Sequence, residues 1–200
     1  MSIFEGGLTT CLSREQIDRI QSKQIGIAGA GGLGSNVAAM LARSGFRKFV
    51  VMDFDTVEPA NLNRQFFFLE DVGKPKAGAL AARLRSINPN IVCDCHDTAW
   101  HPTLAVDPFL PCDILIEAFD KAETKAAFIN HYSDKAPYIV SGNGMAGISG
   151  PPLSVHRHGN VFIIGDEQTE AGDRHPPMAP RVTVCAAMMA EIVLKVVLEI

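Results

Sequence analysis

The chain has 200 residues, 47% hydrophobic and 20% charged, from which one well-buried domain is expected rather than two full ones. Its 18 Lys and Arg against 22 Asp and Glu leave a net charge of -4, so general nucleic-acid affinity is not implied and any basic residue that matters must act locally. The 5 cysteines, at 11, 93, 95, 112 and 185, include no Cys-x-x-Cys pair, which reads as reduced thiols in a cytoplasmic protein with neither a disulfide framework nor a zinc site.

The start, MSIFEGGLTT, has neither the basic end nor the apolar core of a signal peptide. Ser13 and Gln16 have capping-box spacing and Leu12 and Ile17 that of a hydrophobic staple, which predicts a first helix over about 13–22. A strand follows at 24–29, then a helix over about 34–44 stopped by Gly45, then a strand at 48–53. Residues 54–75 are a long polar connection anchored by Phe66, Phe67, Phe68 and Leu69, hence ordered and functional. Beyond it come a helix at 76–87, a strand near 91–95, a strand at 113–118, a helix at 122–134 and a strand at 137–141. Residues 153–157 and 161–164 pair as a hairpin across Gly159-Asn160, 165–181 form a surface loop, and a helix closes the chain at 183–199. That last stretch is apolar, but Glu191 and Lys195 interrupt it, so it reads as a buried helix rather than a membrane span. Alternating strands and helices predict an α/β fold, Rossmann-like and doubly wound. Its sheet is mostly parallel and ends in an antiparallel hairpin and a final helix. All 200 residues form a single domain in this reading.

Chemistry concentrates in IGIAGAGGLGSN, residues 25–36, where Gly29-x-Gly31-x-x-Gly34 lies between a strand and a helix. Glycines there permit positive φ and let a phosphate approach main-chain N–H groups at a helix start. Asp53, 19 residues beyond Gly34, ends the next strand, where an acid commonly holds ribose hydroxyls. These features ask for a nucleotide and admit NAD. Asn61, Arg64 and Gln65, followed by Lys74 and Lys76, then bring amides and cations to the adjoining loop. A triphosphate under attack at phosphorus needs such cations, and a redox dinucleotide needs few.

GAGGLGS, DFDTVEPANLNRQ, DVGKPK and INPNI together resemble the ThiF/MoeB superfamily of ubiquitin-activating-enzyme-like adenylyltransferases. The short N-terminus and the close at 200 are most like its compact ThiF branch, linked to thiamine biosynthesis. The resemblance implies that Gly29, Gly31, Gly32 and Gly34 shape the turn over the phosphates. Asp53, Asp55 and Gln65 belong to the nucleotide site, and Asn61, Arg64 and Lys76 contact ATP phosphates. It further implies that Asp120, in ILIEAFDKAETK, helps hold Mg²⁺; an Asp there also suits a helix N-cap. The implied reaction adenylates the C-terminal carboxylate of a small ubiquitin-like sulfur carrier ending in Gly-Gly (ThiS-like), with Arg64, Lys76 and Asp120 catalytic. It takes place in thiamine thiazole formation, in a homodimer. Residues 141–150 and 165–181 are expected to line the channel for that tail. Alternatives are activation of a molybdopterin or other sulfur carrier, a tRNA-modifying dehydratase of the same superfamily, an NAD-dependent oxidoreductase, and a binding protein without chemistry. Departures from the pattern are the missing zinc cysteines, Arg14 and Arg19 in place of an Arg-x-x-Arg-Gln segment, Lys121 where Asn is common, and Lys125 where Arg is frequent. Cys185 is expected to be a small buried hydrophobe rather than a nucleophile.

Overall fold

A computed structural model describes residues 3–169 and 171–200. The first two residues of the N-terminal stretch and Glu170 of the 165–181 loop lie outside the described residues. Seven strands form one sheet: β1 (Gln24–Ala28), β2 (Lys48–Met52), β3 (Val92–His96), β4 (Ile114–Glu117), β5 (Tyr138–Gly142), β6 (Ser154–His158) and β7 (Val161–Gly165). The order is β3-β2-β1-β4-β5-β7-β6, with every pair parallel except β6–β7. The helices are α1 (Ile3–Leu8), α2 (Arg14–Ser22), α3 (Gly32–Arg43), α4 (Lys76–Ile87), α5 (Ala122–Tyr132) and α6 (Ala179–Leu198). The expected doubly wound sheet, terminal hairpin and final helix are all present.

Period-two alternation distributes each central strand between two cores. Ile25, Ile27, Phe49, Val51, Ile114 and Ile116 face one side, where they pack with α3, α4 and α6. Val50, Met52, Leu115 and Ile139 face the other, against Trp100, Phe109, Phe128 and Tyr132. Gly26 lacks a side chain because a Cβ there would stand 2.7 Å from Leu115 and 2.8 Å from Phe109. At the ends of the sheet, β3 and β6 are edge strands, and β6 is exposed along its whole length.

The local chemistry of α2 is as expected: Ser13 Oγ accepts from Gln16 N–H, and Gln16 Oε1 accepts from Ser13 N–H. The largest departures from expectation are at three helices. The sequence reading places no helix at α1. α3 begins at Gly32, two residues early, and α6 begins at Ala179, with Pro180 in its first turn, where proline is tolerated.

The long 54–75 connection is built on two short 3-10 turns, Pro59–Asn61 and Leu69–Asp71. Asp71, 2% exposed, pins the second to α4: its carboxylate accepts Arg83 Nε at 2.7 Å and Nη2 at 2.8 Å, and Phe68 N–H at 3.0 Å. Burial alone would raise this carboxyl. The hydrogen bonds from Arg83 and Phe68 outweigh it and hold the carboxyl below the usual range. A depressed folded-state pKa adds stability that is complete above the unfolded value, about 3.9, and is lost as pH falls through the folded value. Urea unfolding between about pH 5 and pH 2 should therefore show wild-type stability falling more steeply than that of Asp71→Asn. Parallel slopes would show that this pair does not set the acid limb.

Candidate active site

The chain passes from β1 to β2 and β3 on one side of the sheet and then crosses back to β4 on the other, so a crevice opens between the carboxyl ends of β1 and β4. The glycine turn fills its floor. Gly29 has φ +95°, and a Cβ on it would lie 2.8 Å from the Ala118 carbonyl oxygen at the end of β4. Gly34 is tighter still: a Cβ would fall 1.8 Å from Gly29 O, so only glycine lets α3 sit this close to the turn. Gly31 is the N-cap of α3 and supplies no side-chain cap. The first N–H groups of that helix thus meet the crevice with the positive end of the helix dipole, an arrangement suited to an anion.

Asp53 follows β2 directly and is 9% exposed. Its Oδ2 accepts the Ala30 N–H at 2.6 Å and its Oδ1 the Asp55 N–H at 2.8 Å, which ties the acid to the turn. Burial pushes this carboxyl up, and the two N–H groups and the Lys76 charge act against that rise. Lys76 is the first residue of α4 and only 6% exposed; its Nζ donates to Asp55 Oδ2 at 2.7 Å. A cation at a helix N-terminus opposes the dipole, and here the Asp55 and Asp53 carboxylates offset that opposition.

The loop bearing Asn61, Arg64 and Gln65 lies against the start of α3. Asn61 is structural in what it shows: its Oδ1 accepts Glu58 N–H at 3.0 Å, closing the 3-10 turn. Arg64 packs its stem along Gly32, with Cγ 3.7 Å from where a Cβ would be. Its Nη1 donates to Asn63 Oδ1 at 2.8 Å and to Ala60 O at 3.2 Å, and among the described residues no carboxylate pairs with it. Gln65 is 8% exposed, sits beside Gly31, and its buried Oε1 has no hydrogen-bond partner among the described residues. Buried polar atoms are rarely left so, and this one adjoins the anion-binding turn.

Asp120 is exposed, three residues beyond β4. The N-cap of α5 is Lys121, so capping does not explain Asp120. Among the described residues no group of three or more His, Cys, Asp or Glu is gathered for a metal. Mg²⁺ commonly takes one or two carboxylates and completes its shell with phosphate and water, which a single Asp at this crevice fits.

Two clusters went unread in the sequence. Ser35 Oγ donates to Gly31 O at 2.6 Å and accepts Phe66 N–H at 2.9 Å, while Asn36 Nδ2 donates to Arg64 O at 2.8 Å. Together they clamp the arginine loop onto α3. At the end of β4, Glu117 is fully buried and accepts from Lys125 Nζ at 2.8 Å, Ser141 Oγ at 2.6 Å and Phe119 N–H at 2.8 Å. It fixes the segment that carries Asp120 and joins it to β5. The signal available was an acid closing an apolar strand, the same cue that singled out Asp53.

Asp166 joins the segments after β5 and β7 to α6. It accepts from Gln168 and Thr169 N–H, from Thr169 Oγ1 and from Arg181 Nη2 at 2.8 Å, and Arg181 Nη1 donates to Pro151 O. Beside this bracket lies an open hollow of about 370 Å³ whose walls include Pro151, Pro152, Leu153 and Val184. Cys185 is fully buried and its thiol is pushed up to about 12 by that burial, which suits packing and not nucleophilic attack. Arg14 and Arg19 are taken up in ion pairs with Asp18 and Glu199 on the surface.

Comparison with known proteins agrees with this geometry. The chain is 35% identical over 122 residues to ubiquitin-like modifier-activating enzyme 5 of Drosophila mojavensis, covering 55% of this chain and 31% of that one. It is 41% identical over 80 residues to the Bombyx mori protein of the same name, covering 40% of this chain and 20% of that one. The chain therefore spans a third or less of these relatives. Among solved structures, E. coli tRNA N6-threonylcarbamoyladenosine dehydratase in complex with AMP superposes with TM-score 0.84 at 23% identity, covering 97% of this chain and 93% of that one. E. coli MccB with ATP gives TM-score 0.67 at 22% identity, covering 91% and 58%. At such identities the structures establish a shared fold. A model described as the ThiF family matches residues 8–200, and the chain belongs to that family.

Proposed function

We propose that this chain binds ATP in the β1–β4 crevice and transfers its adenylyl group to a carboxylate. The observation that carries this reading is the pair of cations at the glycine turn: Arg64, which pairs with no carboxylate among the described residues, and Lys76, held buried at a helix N-terminus where it opposes the dipole. A substrate carboxylate attacks the α-phosphorus, an acyl-adenylate forms and pyrophosphate leaves. Arg64 and Lys76 hold the charge that builds on the phosphates, the N–H groups of α3 orient them, and Asp53 receives the ribose. Gln65 offers its unpartnered Oε1 to the bound nucleotide. Magnesium, when bound with the nucleotide, would neutralise phosphate charge, with Asp120 as its protein ligand.

The preferred carboxylate is the C-terminus of a small ubiquitin-like sulfur carrier. The names of the curated relatives support a ubiquitin-like partner. A Gly-Gly tail is slim enough to follow the glycine-rich 142–150 segment to the phosphates. A ThiS-like carrier in thiazole formation, and action as a homodimer, are parts of the same proposal. A second reading, a tRNA-modifying dehydratase, draws support from the superposition over nearly both whole chains, while the net charge of -4 weighs against an RNA substrate. An NAD-dependent enzyme would not call for the Arg64 cation at the turn. Titration calorimetry with Mg²⁺ present is expected to show ATP binding and no measurable NAD binding; the reverse result would overturn the assignment.

A further inference from the structure

On β3, Cys93 and Cys95 project to the same face, two residues apart, and their sulfurs are 3.6 Å apart. Cys95 is exposed and Cys93 half-buried, and Cys95 Sγ also lies 3.6 Å from Ala77 O in the first turn of α4. The strand is an edge, paired with β2 alone through Cys93–Phe49 and Cys95–Val51.

This spacing discriminates between possible fates of the two thiols. A disulfide needs its sulfurs about 2.05 Å apart and Cα atoms no more than roughly 6.8 Å apart. Alternate residues of a strand stand about 6.6 Å apart, at the limit of that range, and the pairing with β2 resists shortening. With thiolate bonds about 2.3 Å long, a centre bridging the two sulfurs in a straight line would need them ~4.6 Å apart, and one bridging at a tetrahedral angle ~3.8 Å. The observed 3.6 Å matches the bent bridge. Among the described residues no third His, Cys, Asp or Glu joins the two thiols to enclose a bare metal ion, so the centre must bring its own remaining substituent.

We propose that Cys93 and Cys95 form a dithiol site for a bent, thiophilic centre that carries its own third group, the simplest being a monosubstituted trivalent arsenical. Cys95 is the more exposed of the two, and hydrogen bonding between the thiols, with the Arg85 charge after it, holds its thiol below the ordinary value, so Cys95 attacks first and Cys93 closes the ring. With an organoarsenic oxide the arsenic–oxygen bond breaks and two arsenic–sulfur bonds form. The two thiol protons leave with the oxygen as one water, and arsenic stays trivalent. Ring closure makes the second bond intramolecular, so the adduct resists competition by monothiols. The site adjoins both segments that bear the candidate nucleotide residues: Ala77 follows Lys76, and His96 O accepts Asp53 N–H at 3.2 Å.

The test uses the reduced, full-length chain and phenylarsine oxide, read by intact mass and by counting free thiols. One adduct per chain is expected, consuming two thiols, surviving a large excess of mercaptoethanol and released by dimercaptopropanol. Cys11→Ser should retain it, and Cys93→Ser and Cys95→Ser should each lose it. An adduct displaced by the monothiol, or one that persists in either β3 variant, would overturn the proposal. Buried Cys112, with its thiol pushed up to about 12, and Cys185 are not expected to compete.

Discussion

Lys76→Met and Arg64→Ala are each expected to lower ATP–pyrophosphate exchange by roughly 10²-fold or more, the usual cost of removing one preorganised group from a developing charge. Lys76 is nearly buried and its Nζ meets Asp55 at 2.7 Å, so the ammonium is held in place before nucleotide arrives. Methionine keeps the apolar stem packed and removes the charge alone. The Asp55 side chain left behind is 48% exposed and is solvated without its partner, so folding should survive. Arg64 is placed differently. Its backbone is clamped by Asn36 and, among the described residues, its guanidinium bonds only neutral oxygens, so alanine there removes a cation and little structure. Circular dichroism melts should show both variants folded, with midpoints close to wild type. Exchange at the wild-type rate in either variant would remove that residue from the chemistry.

Glu117→Ala is expected to be the most destabilising single change at the site, by about 3–5 kcal/mol, because it leaves Lys125 uncompensated in a mostly buried position. Glu117 is fully buried and Lys125 is 16% exposed, so water cannot readily replace the lost partner. The loss is a large share of a typical stability of about 5–15 kcal/mol and should appear as a lower urea midpoint at an unchanged slope. Adding Lys125→Met to Glu117→Ala should recover part of the loss, since the stranded charge is then gone. A single-variant cost under about 1 kcal/mol would show that the cluster is not held as described.

The sequence made the fold legible where structure is local. The capping box of α2 needs only Ser13 and Gln16, and the turn of the β6–β7 hairpin sits at Gly159, which adopts φ +63°. α1 was illegible because IFEGGL carries two glycines and little helical propensity; it is held by tertiary contacts, among them Glu5 with Arg47. α6 begins earlier than the sequence suggests because Pro180 reads as loop, although the first turn of a helix accepts proline. At the site, Gly29 and Asp53 are proposed from spacing along a known order of elements, and the phosphate-binding roles of Arg64 and Lys76 from the family resemblance. Ser35 and Glu117 act on partners 31 and 24 residues away, and no periodicity announces such contacts. Asn36 closes the glycine motif, yet its role depends on a loop folding back over α3.

The central claim, adenylyl transfer to a carrier carboxylate, is tested most directly by isotope exchange between pyrophosphate and ATP in the presence of Mg²⁺ and a ubiquitin-like carrier ending in Gly-Gly. Exchange is expected with the intact carrier, to stop when its terminal glycines are removed, and to be lost with Arg64→Ala or Asp120→Ala. A chain that binds ATP yet shows no exchange with any Gly-Gly carrier, or exchanges equally well without the tail, would contradict it.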